Sequence, residues 1–451
     1  MSIALENQRT YALVGTGGCG KTSLAEMLLF QAGIINRLGA IEEGTTALDY
    51  EPEEIKRRGS IQPGFATFDW KGYRHNLIDI PGDSNFSGDM EWLLAAVDSA
   101  VIVVDAVDGV RPQMRRMWKS VKAAGLPAIA VVTKMDRERA DFDAALNSLT
   151  THLGVRPVVL YMPILENGEF IGLVDVFAGK AFRFLDNGET EEMPIPAELE
   201  DEAMLLRDTS VENIASSDED LMNRYLEDGS LSDEDITFGL RKGVLSGEVV
   251  AVLPSSAMQN RGGRRLLNQV NSLLASPLDR PAVLGTDASE RAADPEAPAA
   301  CFVFRSLNDA FSGQVNMLRV ISGTISSDST LKNMRTGEME RLGSLVYVNG
   351  KTQTPCKDAL GPGAIVGVTK LKSTRTGDTL CDEKAPFEVE LPKLPPQLIT
   401  FALAPKQKGD EDKVFAAVQK LLDEDVTLKL GRDEETSDIL LSGMGQLHIE
   451  I

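Results

Sequence analysis

Gly15-Thr16-Gly17-Gly18-Cys19-Gly20-Lys21-Thr22 fits the pattern GxxxxGK[ST], continues into Ser23, and stands between the apolar run TYALVG and the helical stretch SLAEMLLFQAG. Glycines at these positions let backbone N–H groups close around phosphate oxygens, and the helix that follows turns its positive end to them. Lys21 is then placed for β- and γ-phosphates and the Thr22 hydroxyl for Mg²⁺. Asp79-Ile80-Pro81-Gly82 ends a second apolar run, HNLIDI, so Asp79 is the metal-side carboxylate and Gly82 N–H is aimed at a γ-phosphate. Thr133-Lys134-Met135-Asp136 ends a third run. An aspartate there can accept from N1–H and the exocyclic amine of guanine, a donor pair adenine lacks, while Lys134 covers the base. Ser255-Ser256-Ala257 follows VVAVLP and brings the Ala257 N–H to the guanine oxygen. Four elements in this order point to GTP/GDP with Mg²⁺ rather than ATP.

The elements that must hold these residues are legible as apolar runs at 10–15, 75–80, 99–106, 127–134, 158–164 and 249–254, with helical patterns between several of them. Runs rich in Val and Ile that do not alternate with polar residues predict a parallel sheet covered on both faces. Lys134 and Ser255 are 121 residues apart, more than one strand and one helix need, which predicts an insertion of about 85 to 90 residues, near 165–247. That stretch turns helical from about residue 190, and residues 186–235 hold 18 acids against two bases. Either a solvated helical face or an acidic docking module fits it.

Beyond a Pro- and Ala-rich linker at 286–300, short strands separated by turns predict an all-β barrel. After Pro392, Pro395 and Pro396 the order is β-α-β-β, with a second helix cut short at GMGQLHIEI. The expected division is therefore a nucleotide-binding domain at 8–285, a barrel at 296–388 and a partial, truncated α+β unit at 395–451. The 451 residues, 43% of them hydrophobic, suffice for three cores, and no apolar run is long enough for a membrane span. Four scattered cysteines argue against a disulfide framework or zinc ribbon. A net charge of −22 argues against a general polyanion binder, although most of it belongs to the insertion. Cys19, Met114, Met117 and the three tryptophans read as packing residues, and His448 lacks metal-ligand spacing.

The segments GGCGKTSLAEMLLFQAGIINRLGAIEEGTTALDYEPEE, TGDTLCDEKAP and LSGMGQLHIEI resemble translational GTPases of the elongation factor G type, most closely the paralogues found in many bacteria. The resemblance spans about residues 8–451. It implies a P-loop α/β domain with an inserted subdomain, a β-barrel and the start of a ferredoxin-like domain, without the family's fourth and fifth domains. It also implies a cytoplasmic, Mg²⁺-dependent GTPase, monomeric off the ribosome, whose partners are ribosomal RNA and the stalk protein, the latter met by the acidic insertion. Carried over residue by residue, the family's metal-binding threonine of switch one falls on Ser60 and the asparagine of NKxD on Thr133. The phosphate-loop aspartate falls on Gly18, and the histidine that positions the attacking water falls on Asp83. These last two departures leave open a ribosome-binding GTP sensor that hydrolyses little. A ribosome-protection protein of the tetracycline-resistance type shares the same motifs.

Overall fold

The computed structural model describes residues 3–309, 313–407, 410–436 and 438–451. Its first unit is built on Gln8–Val14 (β1), Gly64–Trp70 (β2), Tyr73–Asp79 (β3), Ser99–Asp105 (β4), Ala128–Thr133 (β5), Pro157–Val159 (β6) and a strand from the far side of the insertion, Val250–Pro254. They lie in the order β2-β3-β1-β4-β5-(250–254)-β6. All run parallel except β2, which pairs antiparallel with β3. β1 and β4 are buried at every position, as a strand covered on both faces must be. The main covering helices are Lys21–Gln31 (α1), Pro112–Ala123 (α4), Phe142–Leu153 (α5) and Gly263–Leu273 (α9); the shorter Pro52–Arg57 (α2) and Met90–Ala95 (α3) carry the loops between strands. Met114 and Met117 sit in the core, and each tryptophan indole N–H finds an acceptor: Trp70 on Asn268, Trp92 on the Pro392 carbonyl, Trp118 on the Leu153 carbonyl.

Two expectations need correction. The sheet is mixed, because β2 folds back through the Lys71-Gly72 turn, where both residues have positive φ as a tight hairpin requires. The run 158–164 is also not one strand. It breaks at Leu160, whose N–H still bonds Val252 O, and leaves the sheet as Tyr161–Glu166 (β7). With Glu169–Asp175 (β8), Lys180–Phe184 (β9) and Thr190–Met193 (β10) it forms a four-stranded antiparallel sheet, so the insertion is not simply helical. The helices Glu200–Ala215 (α6), Glu219–Asp228 (α7) and Asp233–Ser246 (α8) follow, then Val250–Pro254 (β11). Arginines at the start of α9 clamp the insertion down. Arg264 pairs with Glu189 at 3.0 Å, and the Arg265 guanidinium lies 4.1 Å over the Phe182 ring.

The 286–300 linker is partly folded: Val283–Leu284 pairs with Glu290–Arg291, and Thr286 N–H bonds Glu388 O. Eight strands between Ala300–Asp309 and Thr379–Cys381 form the second unit around their own core of Val303, Leu318, Val366 and Leu380. Two buried ion pairs join it to the first unit, Arg305 to Asp89 at 2.7 Å and Arg319 to both oxygens of Asp98 at 2.7 and 2.9 Å. Two bonds from main-chain N–H groups add to the seam: Thr67 N–H to the Asn349 side-chain Oδ1 and Gly350 N–H to Phe65 O.

The third unit comprises Ile399–Leu403, Glu411–Glu424 (α10), Lys429–Arg432, Ile439–Gly443 and Gln446–Glu450 (α11). Its strands pair antiparallel in the order 399–403, 439–443, 429–432. Among its described residues the buried hydrophobics are Val418, Leu441 and Met444, while Phe401, Phe415 and Leu421 stay exposed. No helix among the described residues is long and apolar enough to cross a membrane.

Candidate nucleotide-binding site

The loop after β1 and the start of α1 form one wall of a cleft of about 350 Å³, lined here by Gly17, Gly18, Gly20, Lys21, Thr22 and Ser23. Gly20 begins the helix at φ 97°, a conformation that favours glycine. Gly15, Thr16 and Cys19 belong to the same loop but do not line the cleft. Lys21 Nζ donates to Gly15 O at 2.8 Å and Thr16 O at 3.2 Å. Cys19 is buried, and burial pushes its thiol up, away from the thiolate form that a reactive cysteine needs.

The floor of the cleft is acidic. Thr22 Oγ1 donates to Asp79 Oδ2 at 2.6 Å and lies 3.1 Å from Ser60 Oγ, so the three residues expected at the metal meet. Asp49 joins them, a residue that motif reading missed. Asp79 Oδ1 and Asp49 Oδ2 are both buried without a hydrogen-bond partner. Burial, opposed by Lys21 and reinforced by Asp49, raises the Asp79 carboxyl to about 7; burial raises Asp49 as well. Two buried carboxylates with free oxygens beside two hydroxyls make a hard-oxygen donor set that fits Mg²⁺. Ser60 is held there by Glu54, whose carboxylate accepts from Ile61 N–H at 2.9 Å and Gln62 N–H at 3.0 Å.

At the other end of the cleft, Asp136 Oδ1 accepts from Ser256 Oγ at 2.6 Å. Ala257 lines the cleft; Ser255 and Ser256 stand behind it, with Ser255 Oγ donating to Arg261 O. Lys134, with positive φ, extends along the wall to Asp105 Oδ2 at 2.6 Å. Thr133 faces the phosphate loop: its hydroxyl donates to Cys19 O at 2.6 Å, tying the two walls together.

Gly82 and Asp83 close the phosphate end. Gly82 O accepts from Gly17 N–H at 3.0 Å, and a Cβ at Gly82 would come within 2.5 Å of Gly17 N and Lys21 Nζ, so only glycine permits this approach. Asp83 Oδ1 accepts from the Asn85 N–H at 2.9 Å and its Nδ2 at 2.7 Å. Arg57, Arg58 and Phe86 also line the cleft, and Arg111 bonds Gly17 O at 3.3 Å; none belongs to a motif spacing that would have revealed it. Neither His75 nor His152 lines it. His75 is buried between Tyr11 and Asn271, and burial lowers it to about 4.

A mostly parallel sheet carrying a phosphate-binding loop, a metal-side aspartate and a base-reading aspartate at its strand ends defines a P-loop nucleotide-binding domain. Comparison with known families agrees: the Elongation factor Tu GTP binding domain matches residues 6–276, Elongation factor G domain 2 matches 298–383, and Elongation Factor G, domain III matches 394–451. The chain belongs to the elongation factor G family. It is 36% identical over 456 residues to elongation factor G of Thermotoga maritima, covering 100% of this chain and 66% of that protein. The Thermotoga neapolitana protein gives the same figures. A crystal structure from Thermus thermophilus superposes with a TM-score of 0.89 at 34% identity, over 99% of this chain and 65% of that one. The chain thus spans just under two thirds of these relatives.

Proposed function

We propose that the chain is the nucleotide-binding part of a Mg²⁺-dependent translational GTPase acting on the ribosome in elongation or recycling. The observation that carries this reading is the convergence of the phosphate loop, the Thr22–Asp79–Ser60 cluster and the Asp136–Ser256 pair on one cleft. On this reading Gly15 to Ser23 hold the phosphates, and Thr133, Lys134, Asp136, Ser255, Ser256 and Ala257 form the guanine side. Thr22, Ser60 and Asp79 would hold Mg²⁺, with Asp49 behind them; the ion would neutralise charge on the β- and γ-phosphates. Lys21 would turn from the Gly15 carbonyl to the phosphates. The working division is 8–285, 296–388 and 395–451, with the acidic insertion facing the stalk protein. A cytoplasmic location and a monomeric state off the ribosome go with this role.

Hydrolysis is where this chain departs from its family. Asp83 offers no donor when ionised, and its carboxylate is turned to Asn85. Losing one positioned group costs roughly 10² to 10³ in rate, so turnover on ribosomes should be at least about tenfold slower than in histidine-bearing relatives. The test is GTP turnover with and without ribosomes, on a chain carrying all of the family's domains. Tight GDP binding with turnover at the relatives' rate would refute the slow-hydrolysis reading. A failure of ribosomes to stimulate turnover at all would favour the GTP-sensor reading, which Asp83 and Gly18 support.

A further inference from the structure

A separate cavity of about 180 Å³ lies where the first unit, the 283–291 hairpin and the barrel meet. Three guanidiniums line it, those of Arg280, Arg291 and Arg319, against the single carboxylate of Asp98. Both oxygens of Asp98 are already engaged by Arg319. Arg280 donates to the carbonyls of Ala124, at 3.2 Å, and Gly125. Arg291 donates to Ala385 O at 2.9 Å and lies 5.4 Å over the Phe387 ring. Neither arginine has a carboxylate partner among the described residues. Burial, opposed by Asp98 and reinforced by Arg319, lowers the Arg280 guanidinium, as befits a cation short of counter-charge. The rest of the wall is largely apolar, with Val97, Phe302, Ile321 and Val389 on the same space.

We propose that this cavity binds a small monocarboxylate with an aromatic or branched apolar body. A guanidinium offers five donors in a planar fork that matches a carboxylate. Arg280 and Arg291 each keep donors beyond the carbonyls they serve. The ligand's carboxylate would complete the counter-charge that Asp98, engaged by Arg319, leaves short. Its body would cover the apolar wall and remove that surface from water. At about 180 Å³ the cavity is smaller than the roughly 300 Å³ at which ordinary ligand pockets begin, which excludes a nucleotide or a peptide. Inorganic phosphate would meet the arginines but leave the apolar wall bare. A ligand here touches the first unit, the hairpin and the barrel together, so its binding would stabilise their union. None of the residues that line this cavity lines the nucleotide cleft.

The test uses benzoate, with benzyl alcohol carrying a similar ring without the charge and inorganic phosphate the charge without the ring. Calorimetry on the unmodified chain should show benzoate binding at a single site in the millimolar range or tighter, ordinary for so small a ligand. The other two should bind at least about tenfold more weakly. Arg291→Gln should weaken benzoate binding about tenfold or more, since a hydrogen bond to a charged group is lost. Arg280→Gln should do the same. Arg280 also holds the end of α4, so Ala293→Phe serves as a third variant, filling the cavity from the half-buried linker without touching either arginine. A cooperative urea transition without benzoate shows that each variant folds. No benzoate binding by the unmodified chain would overturn the proposal. So would benzoate binding that Arg291→Gln and Ala293→Phe both leave unchanged, or phosphate or benzyl alcohol binding as tightly as benzoate.

Discussion

The two ends of the cleft are built differently. At the base end, the groups sit at the C-terminal ends of β5 and β11, two strands buried at every position, and Asp136 is held by Ser256. At the phosphate end, Ser60, Gly82 and Asp83 are carried by loops, and one of those loops leans on a third unit with few buried hydrophobic residues. Recognition of the base needs fixed geometry, whereas a response to the γ-phosphate needs a wall that moves. On the proposed reading, one end of the nucleotide would meet a strand-borne wall and the other a loop-borne one.

The largest expected effect tests the rigid end. Asp136→Asn should reduce the preference for guanine over xanthine nucleotides by roughly 10⁴-fold, the order found where a site built to hydrogen-bond particular groups loses its partner. Equal affinities of the unmodified chain for GDP and ADP by calorimetry would remove the comparison altogether. Next, hydrogen exchange should separate the regions. Amides of 10–135 should be protected on the order of 10²-fold or more above those of 395–451, where fewer apolar contacts oppose local opening. Equal protection would mean the third unit is as firmly packed as the sheet.

A smaller effect concerns the sheet's own stability. His75 is neutral in the fold, at about 4 against an ordinary value of 6.5, because burial disfavours its charge. A lowered histidine adds stability that is present above pH 6.5 and lost as pH falls from there towards 4. At pH 5 the loss should be about 2 kcal/mol relative to pH 7, read by urea unfolding of the first unit. His75→Gln should remove that part of the pH dependence. The smallest effect tests the mobile end: Asp83→His should raise ribosome-dependent hydrolysis by about tenfold while breaking the bond to Asn85. A rate unchanged in both Asp83→His and Asp83→Ala would mean that another group positions the water.

The same contrast explains what could be read from sequence. TGGCGKT, DIPG, TKMD and SSA were legible because phosphate and guanine chemistry demands particular residues at strand ends, and the apolar runs beside them admit few alternatives. The insertion's sheet was not, since a strand such as Thr190–Met193, TEEM, carries no apolar pattern and owes its place to pairing with β9. β2 was missed for a similar reason: GFATFDW is specified by its hairpin partner. Asp49 owes its significance to contacts across long stretches of chain, and no local spacing marks it.

The buried pairs Arg305–Asp89 and Arg319–Asp98 have a mechanical consequence. Sliding the barrel along the first unit would part each arginine from its carboxylate inside a seam still closed to water, a cost of several kcal/mol for each pair broken. The first two units therefore behave as a single stiff frame. Strain generated at the phosphate end cannot relax by sliding along that seam. The third unit joins that frame at the proline-marked stretch 392–396, where Trp92 Nε1 donates to the Pro392 carbonyl, so any swing of the third unit would begin beyond that bond.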